Sequence, residues 1–85
     1  MSKQEHLDQV NEIIEVLKTL TEEETIPKNV KTKVENTIKI LKEDGEMSLK
    51  INKALHELDD IGDDSNMQPY IRTQIWNIVS LLEKV

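Results

Sequence analysis

The chain repeats itself once, and this repeat is the feature that most limits its fold. Residues 10–43 align with residues 51–84 at a shift of 41 positions. A repeat of this length is typical of one supersecondary unit used twice. Because neither half shows strand-like alternation of apolar and polar residues, the predicted unit is a pair of helices. Identical residues fall at Asn11/Asn52, Leu17/Leu58, Thr32/Thr73, Asn36/Asn77 and Leu41/Leu82.

The length and composition predict one small domain over residues 1–85. The chain has 85 residues, which is too few for two independent cores. Apolar burial barely offsets chain entropy at this size, so stability requires efficient helix packing, self-association or both. The chain has no cysteine, which excludes disulfides and thiolate zinc sites and fits a reducing cytoplasm.

The charge and hydropathy patterns argue against two classes of partner. Asp and Glu total 17 against 11 Lys and Arg, giving a net charge of −6. Nucleic acid is not an expected partner, because its phosphates would be repelled at long range. No membrane partner is expected, because apolar runs fall far short of the roughly 20 residues that span a bilayer and the polar helix faces are not dominated by Lys and Arg. With no signal-peptide pattern, the expected location is cytoplasmic.

The first half of the chain predicts two amphipathic helices. Helix 1 is predicted over residues 4–22, with Ser2 at the start of a capping box. Helix 2 is predicted over residues 27–43, because Pro27 suits a first helical turn and Gly45 suits a helix stop. The apolar faces are Leu7, Val10, Ile13, Ile14, Leu17 and Leu20 in helix 1 and Val30, Val34, Ile38 and Leu41 in helix 2.

The second half predicts the same pair again. Helix 3 is expected to begin near Ser48, a candidate N-cap, and to end at Gly62. Helix 4 is expected to begin at Pro69. The apolar faces are Ile51, Ala54, Leu55, Leu58 and Ile61 in helix 3 and Ile71, Ile75, Ile78, Val79 and Leu82 in helix 4.

Short links between the helices favour antiparallel neighbours. We therefore predict an all-α fold, an antiparallel four-helix bundle made of two pseudo-repeated helical hairpins, residues 4–43 and 47–84. The alternative is HEAT-like pairing, because the 41-residue period and the acidic loop before Arg72 are similar to HEAT repeats. The closed bundle is favoured because solenoids generally need three or more units.

Carboxylates are concentrated in and beside the two loops within the hairpins. In an up-down-up-down bundle both loops lie at one end, where carboxylate oxygens could hold Mg²⁺ or Ca²⁺. Their spacing does not follow an EF-hand, and carboxylates ahead of helices 2 and 4 also suit the helix dipoles. A regulator that binds a divalent cation or small ligand at this end is the alternative function. The carboxylates are those of Glu22, Glu23, Glu24, Asp59, Asp60, Asp63 and Asp64.

No pattern predicts an enzyme, a catalytic residue or a cofactor. His6 and His56 lack a partner at the spacing of helical metal sites. Nothing resembles a nucleophile elbow or a Gly-rich phosphate loop. The leading hypothesis is therefore a non-enzymatic protein–protein interaction module.

Apolar residues outside the predicted core indicate where such a module would bind. Trp76 replaces Glu35 of the first repeat, and it either seals the groove between helices 3 and 4 or anchors an interface. Ile40 and Leu81 occupy equivalent positions outside their apolar stripes, and Val16 lies outside that of helix 1. Tyr70 lies on the same side of helix 4 as Leu81. The expected partner is a protein, with a second copy of the chain (a homodimer) as one candidate.

Two segments resemble a small uncharacterised archaeal protein family. Residues 26–31, IPKNVK, are similar to its "VPRNVRR" segment, and residues 58–80 are similar to its "DPNMPxxxRTxIWxIVSxLE" signature. This chain has Gln68 where a proline is common. The resemblance implies a four-helix bundle in the archaeal cytoplasm and supplies no activity or cofactor. Because Arg72 and Trp76 lie in the signature, Arg72 joins the candidate interface: Tyr70, Arg72, Trp76, Leu81 and Ile40.

Overall fold

Four α-helices make up the fold, as the sequence predicts. The computed structural model describes the backbone of residues 3–62 and 67–85, and the side chains of residues 7–61 and 67–85. No strand occurs within those ranges. Gly45, in the loop after the second helix, has a φ of +135°, a conformation that favours glycine. The helices are α1 (Lys3–Thr21), α2 (Lys28–Lys42), α3 (Met47–Gly62) and α4 (Pro69–Glu83).

The helices close into a ring rather than a stack. Each helix packs on the next one in the chain, and α4 returns to pack on α1. Over the described backbone, neither α1 and α3 nor α2 and α4 approach each other closely. A HEAT-like stack would place those pairs side by side and would separate α1 from α4. The closed antiparallel bundle is therefore confirmed over HEAT-like pairing, with overall dimensions of 38 × 18 × 17 Å.

The core consists of one apolar stripe from each helix, together with Met67 from the loop before α4. Most of the stripe residues predicted from the sequence are buried. Ile38, Leu55 and Val79 are partly buried and pack against the edge of the core. The buried apolar residues are Val10, Ile13, Ile14, Leu17, Leu20, Val30, Val34, Leu41, Ile51, Ala54, Leu58, Ile61, Met67, Ile71, Ile75, Ile78 and Leu82.

Two predictions about individual residues are wrong, and a third lies outside the described residues. Leu7 was expected in the core but is exposed, because it lies about 80° around α1 from the centre of the buried stripe. Ser48 is not an N-cap, because α3 already begins at Met47 and the Lys50 amide donates to the carbonyl of Glu46. The capping box at Ser2 falls outside the described part of the chain.

Thr37 is the only polar side chain in the core among the described residues. It is fully buried in α2, and its hydroxyl donates to the carbonyl oxygen of Lys33 at 2.9 Å. In the other repeat the same position holds Ile78, also buried. In an α-helix the carbonyl of Lys33 also accepts the backbone amide N–H of Thr37. The Thr37 hydroxyl is therefore a second donor to this oxygen, which would keep one hydrogen bond without it.

We expect Thr37→Val to raise the free energy of unfolding by about 0.5–1 kcal/mol, because a methyl group replaces a desolvated hydroxyl. Urea unfolding followed by circular dichroism measures the change. The matched control is Thr32→Val, at an exposed threonine whose hydroxyl makes the same kind of bond to Lys28 at 3.1 Å. A loss of stability in the Thr37 variant larger than that of the control would contradict the expectation.

Candidate interaction surface

Tyr70 and Leu81 lie on the side of α4 that is next to α1. Tyr70 is 57% exposed and Leu81 is 45% exposed. Each contributes to a shallow groove between the two helices, with volumes of about 160 Å³ at Tyr70 and about 190 Å³ at Leu81. The groove at Tyr70 is also lined by Val16, Thr19, Leu20, Glu23 and Gln74, and the groove at Leu81 by Gln9, Glu12, Ile13, Val16 and Lys84.

Val16 connects the two grooves. It lines both of them and is itself 38% exposed, in the C-terminal half of α1. Tyr70, Val16 and Leu81 therefore form a row of exposed apolar side chains along the length of the bundle. We call the surface made by this row and the two grooves the α1/α4 face.

The repeat relates this face to a second one, between α2 and α3, whose chemistry differs. The positions of Val16 and Tyr70 are occupied there by Glu57 and Asn29. Thr19 and Gln74 correspond to Asp60 and Lys33, which form an ion pair with 3.4 Å between Nζ and Oδ2. We call this surface the α2/α3 face. At these equivalent positions the α2/α3 face carries charged side chains, whereas the α1/α4 face carries apolar or uncharged ones.

Packing follows the same asymmetry. The backbones of α2 and α3 approach each other more closely than those of α1 and α4 do. Ile40, on the α2/α3 face, is partly buried and packs against the core, whereas its repeat counterpart Leu81 is exposed. The predicted interface residue Ile40 therefore lies on the opposite side of the bundle from Leu81 and Tyr70.

Arg72 and Trp76 lie on the other flank of α4. At 100° per residue, Trp76 is about 130° from the centre of the buried stripe, in the opposite direction from Tyr70 and Leu81. Trp76 is 62% exposed, which is more than expected for a ring that seals a groove between helices. Arg72 is partly buried one turn earlier on that flank. The structure thus brings Tyr70 and Leu81 together and separates them from Arg72, Trp76 and Ile40.

The described carboxylates of the acidic loops do not converge. Glu22, Glu23 and Glu24 border an open hollow that they share with Lys28 and Lys31. Asp60 pairs with Lys33 on the α2/α3 face, and Asp59 is exposed. Asp63 and Asp64 fall outside the described residues, as does the side chain of His6. Within the described part of the chain, no group of three His, Asp or Glu side chains is placed to hold a metal ion.

We expect millimolar Mg²⁺ or Ca²⁺ to change the Tm by less than about 1 °C, because the described carboxylates are not gathered in the native state and give a cation little preference for it. Thermal unfolding at matched ionic strength, with NaCl as the control, measures this. A rise of several degrees with either divalent cation would contradict the expectation and would support the alternative of a cation-binding regulator at the acidic end.

The family of the chain follows from sequence and fold together. The profile of the uncharacterised protein family UPF0147 matches residues 1–85. The chain belongs to this family. The UPF0147 protein of Archaeoglobus fulgidus is 34% identical over 76 residues, covering 89% of this chain and 87% of that protein. The UPF0147 protein MJ1419 of Methanocaldococcus jannaschii is 39% identical over 71 residues, covering 82% and 76%.

A solved structure also matches the UPF0147 fold found here. The crystal structure of the unknown function protein MMP1188 superposes with a TM-score of 0.89 at 35% sequence identity. The superposition covers 100% of this chain and 94% of that one. These similarities confirm the resemblance to an uncharacterised archaeal family and the four-helix fold. None of these relatives carries a named activity.

The interface predicted from the sequence does not include Val16. Its position outside the apolar stripe is visible in the sequence, but so are the similar positions of Ile40 and Leu81. The repeat distinguishes Val16 from this pair: Ile40 and Leu81 are counterparts and both apolar, whereas the counterpart of Val16 is the charged Glu57. None of the described helices is long and apolar enough to cross a lipid bilayer.

Proposed function

We propose that this protein is a non-enzymatic protein–protein interaction module and that the α1/α4 face is its binding surface. The observation that carries the proposal is the row of exposed apolar side chains at Tyr70, Val16 and Leu81. The absence of cysteine suits a reducing cytoplasm, where we propose that the module acts.

An exposed apolar row is costly unless a partner covers it. Removing apolar surface from water is favourable by about 25 cal/mol per Å², and contiguous apolar patches on small proteins often mark binding sites. The α2/α3 face shows that the same scaffold folds with Glu57 and an ion pair at the equivalent positions. Folding therefore does not require the apolar residues at Val16 and Tyr70, which supports a role in binding.

The shape of the face supports docking of a protein rather than a small substrate. The two grooves are shallow, and their lining is more apolar than polar. Grooves between helices accept side chains from a partner helix, as in other helix-in-groove complexes. Neither groove combines a nucleophile with a positioned base, so we assign no catalytic role to the face.

The test is quantitative capture from an archaeal cell lysate with three tagged baits: wild type, Val16→Glu and Trp76→Glu. Both variants add one negative charge at an exposed position, but only Val16 lies on the α1/α4 face. We expect partners captured by the wild type, including untagged copies of the bait, to fall at least about tenfold with Val16→Glu and to persist with Trp76→Glu. Loss with Trp76→Glu alone would contradict the proposal.

A further inference from the structure

We infer that the partner of the α1/α4 face is a second copy of this chain, bound antiparallel. This inference rests on the proposed function and names its partner. The two-fold axis runs across the helices at the level of Val16, so that α1 packs on α1 of the second copy and α4 on α4. Such an interface is isologous, because the same surface contributes from both copies.

The α1/α4 face is self-complementary when one copy is reversed. Val16 lies between the two grooves, with Tyr70 and Glu23 at one end and Leu81 and Lys84 at the other. An antiparallel copy therefore places its Tyr70 over the groove at Leu81. The same operation directs Glu23 of each copy toward Lys84 of the other. Apolar side chains meet in the centre and Glu23 faces Lys84 at both ends, with Glu12 at the edge of the groove between them.

Charge also selects the antiparallel arrangement over the parallel one. The chain carries a net charge of −6, and Glu22, Glu23 and Glu24 share the loop at one end of the bundle. A parallel pair would bring these carboxylates of the two copies side by side. The antiparallel pair separates them by about 20 Å, because each loop lies about seven residues, or roughly 10 Å, beyond the two-fold axis at Val16. This is more than twice the screening length of about 8 Å at physiological salt.

The size of the face is sufficient for a stable but modest dimer. A face within the 38 by 18 Å outline of the bundle offers at most about 700 Å² per copy, just below the roughly 800 Å² per partner of a standard interface. An apolar centre with a charged rim is the usual anatomy of such interfaces. The equivalent α2/α3 face is unsuited, because Glu57, Lys33 and Asp60 would have to be desolvated on both copies.

Sedimentation equilibrium of the full chain tests the inference. We expect the wild type to dimerise with a Kd of roughly 1–50 µM at physiological salt. Val16→Glu should weaken the dimer at least about 100-fold, because two carboxylates would meet at the two-fold axis. The variant is expected to fold, since Val16 is already 38% exposed; circular dichroism verifies this. The matched control Trp76→Glu should dimerise like the wild type.

Charge reversal tests the orientation independently of Val16. Glu23→Lys and Lys84→Glu should each weaken the dimer about tenfold, because each creates two like-charged contacts. The double variant restores opposite charges and should return to within about threefold of the wild type. A double variant weaker than either single variant would overturn the antiparallel arrangement.

The outcomes separate this inference from the proposed function. A wild type that remains monomeric at about 100 µM, or a dimer insensitive to Val16→Glu, overturns the second copy as partner. If the monomeric protein still captures another protein in a Val16-dependent manner, the interaction module stands and only its partner is wrong. If capture does not depend on Val16 either, both proposals are overturned.

Discussion

Leu17→Ala and Leu58→Ala are each expected to lower the free energy of unfolding by about 3 kcal/mol, within the range for buried leucines. The two residues are identical counterparts in the repeat, and their side chains are 0% and 1% exposed. Each truncation leaves a cavity that a closed bundle can only partly fill. The loss is a large share of the stability of a domain this small, about 0.05–0.15 kcal/mol per residue. Urea unfolding of both variants measures it.

The control for these truncations is Leu49→Ala. Leu49 is on α3 and is 57% exposed, so its truncation should change the free energy of unfolding by less than about 0.5 kcal/mol. The comparison between Leu17 and Leu58 is also informative, because the pseudo-symmetry of the bundle predicts similar losses. A loss confined to one of the two leucines would contradict an evenly packed core shared by both hairpins.

Ala54→Leu is expected to lower the free energy of unfolding by about 2 kcal/mol, because it overpacks the core. Ala54 is fully buried in α3, at a position where the first repeat has the larger Ile13, which is also buried. The two hairpins therefore fill the core unequally at this position, with one large and one small side chain. Protein interiors are close-packed, so three additional carbons require neighbouring side chains or α3 to shift.

The control for the enlargement is Lys53→Leu on the same helix. Lys53 is exposed, so the change should alter the free energy of unfolding by less than about 0.5 kcal/mol. Unfolding in urea compares the two variants with the wild type. An Ala54→Leu protein more stable than the wild type would show unfilled space beside Ala54 and would contradict the packing described here.

Helix type and number could be predicted from the sequence because local signals agree with the repeat. Pro27 and Pro69 fall at the starts of α2 and α4 in both the prediction and the structure, and Gly45 lies in the loop three residues after α2 ends. Ser48 misled the placement of one helix start, because α3 already begins one residue earlier. The apolar periodicity predicts most of the core correctly. It does not predict the burial of Thr37, because a polar residue is not counted in an apolar stripe.

The candidate surface could be predicted only in part, because a helical wheel does not say which neighbour covers a flank. Tyr70 and Trp76 both lie far from the buried stripe of α4, yet packing places only Tyr70 beside α1. Ile40 and Leu81 are equivalent in the repeat but differ in burial, because α3 packs more fully on α2 than α1 does on α4. The angular position of a residue is a local property, whereas its coverage depends on tertiary packing.

Disulfide formation by single cysteine variants tests the antiparallel α1/α4 dimer most directly. The chain has no cysteine, so Val16→Cys introduces a single thiol. Disulfides require Cβ atoms about 3.5–4.5 Å apart, and Val16 lies at the proposed two-fold axis. Under mild oxidation, we predict cross-linked dimers at least about tenfold faster with Val16→Cys than with Trp76→Cys. Equal or faster cross-linking through Trp76→Cys would contradict the account.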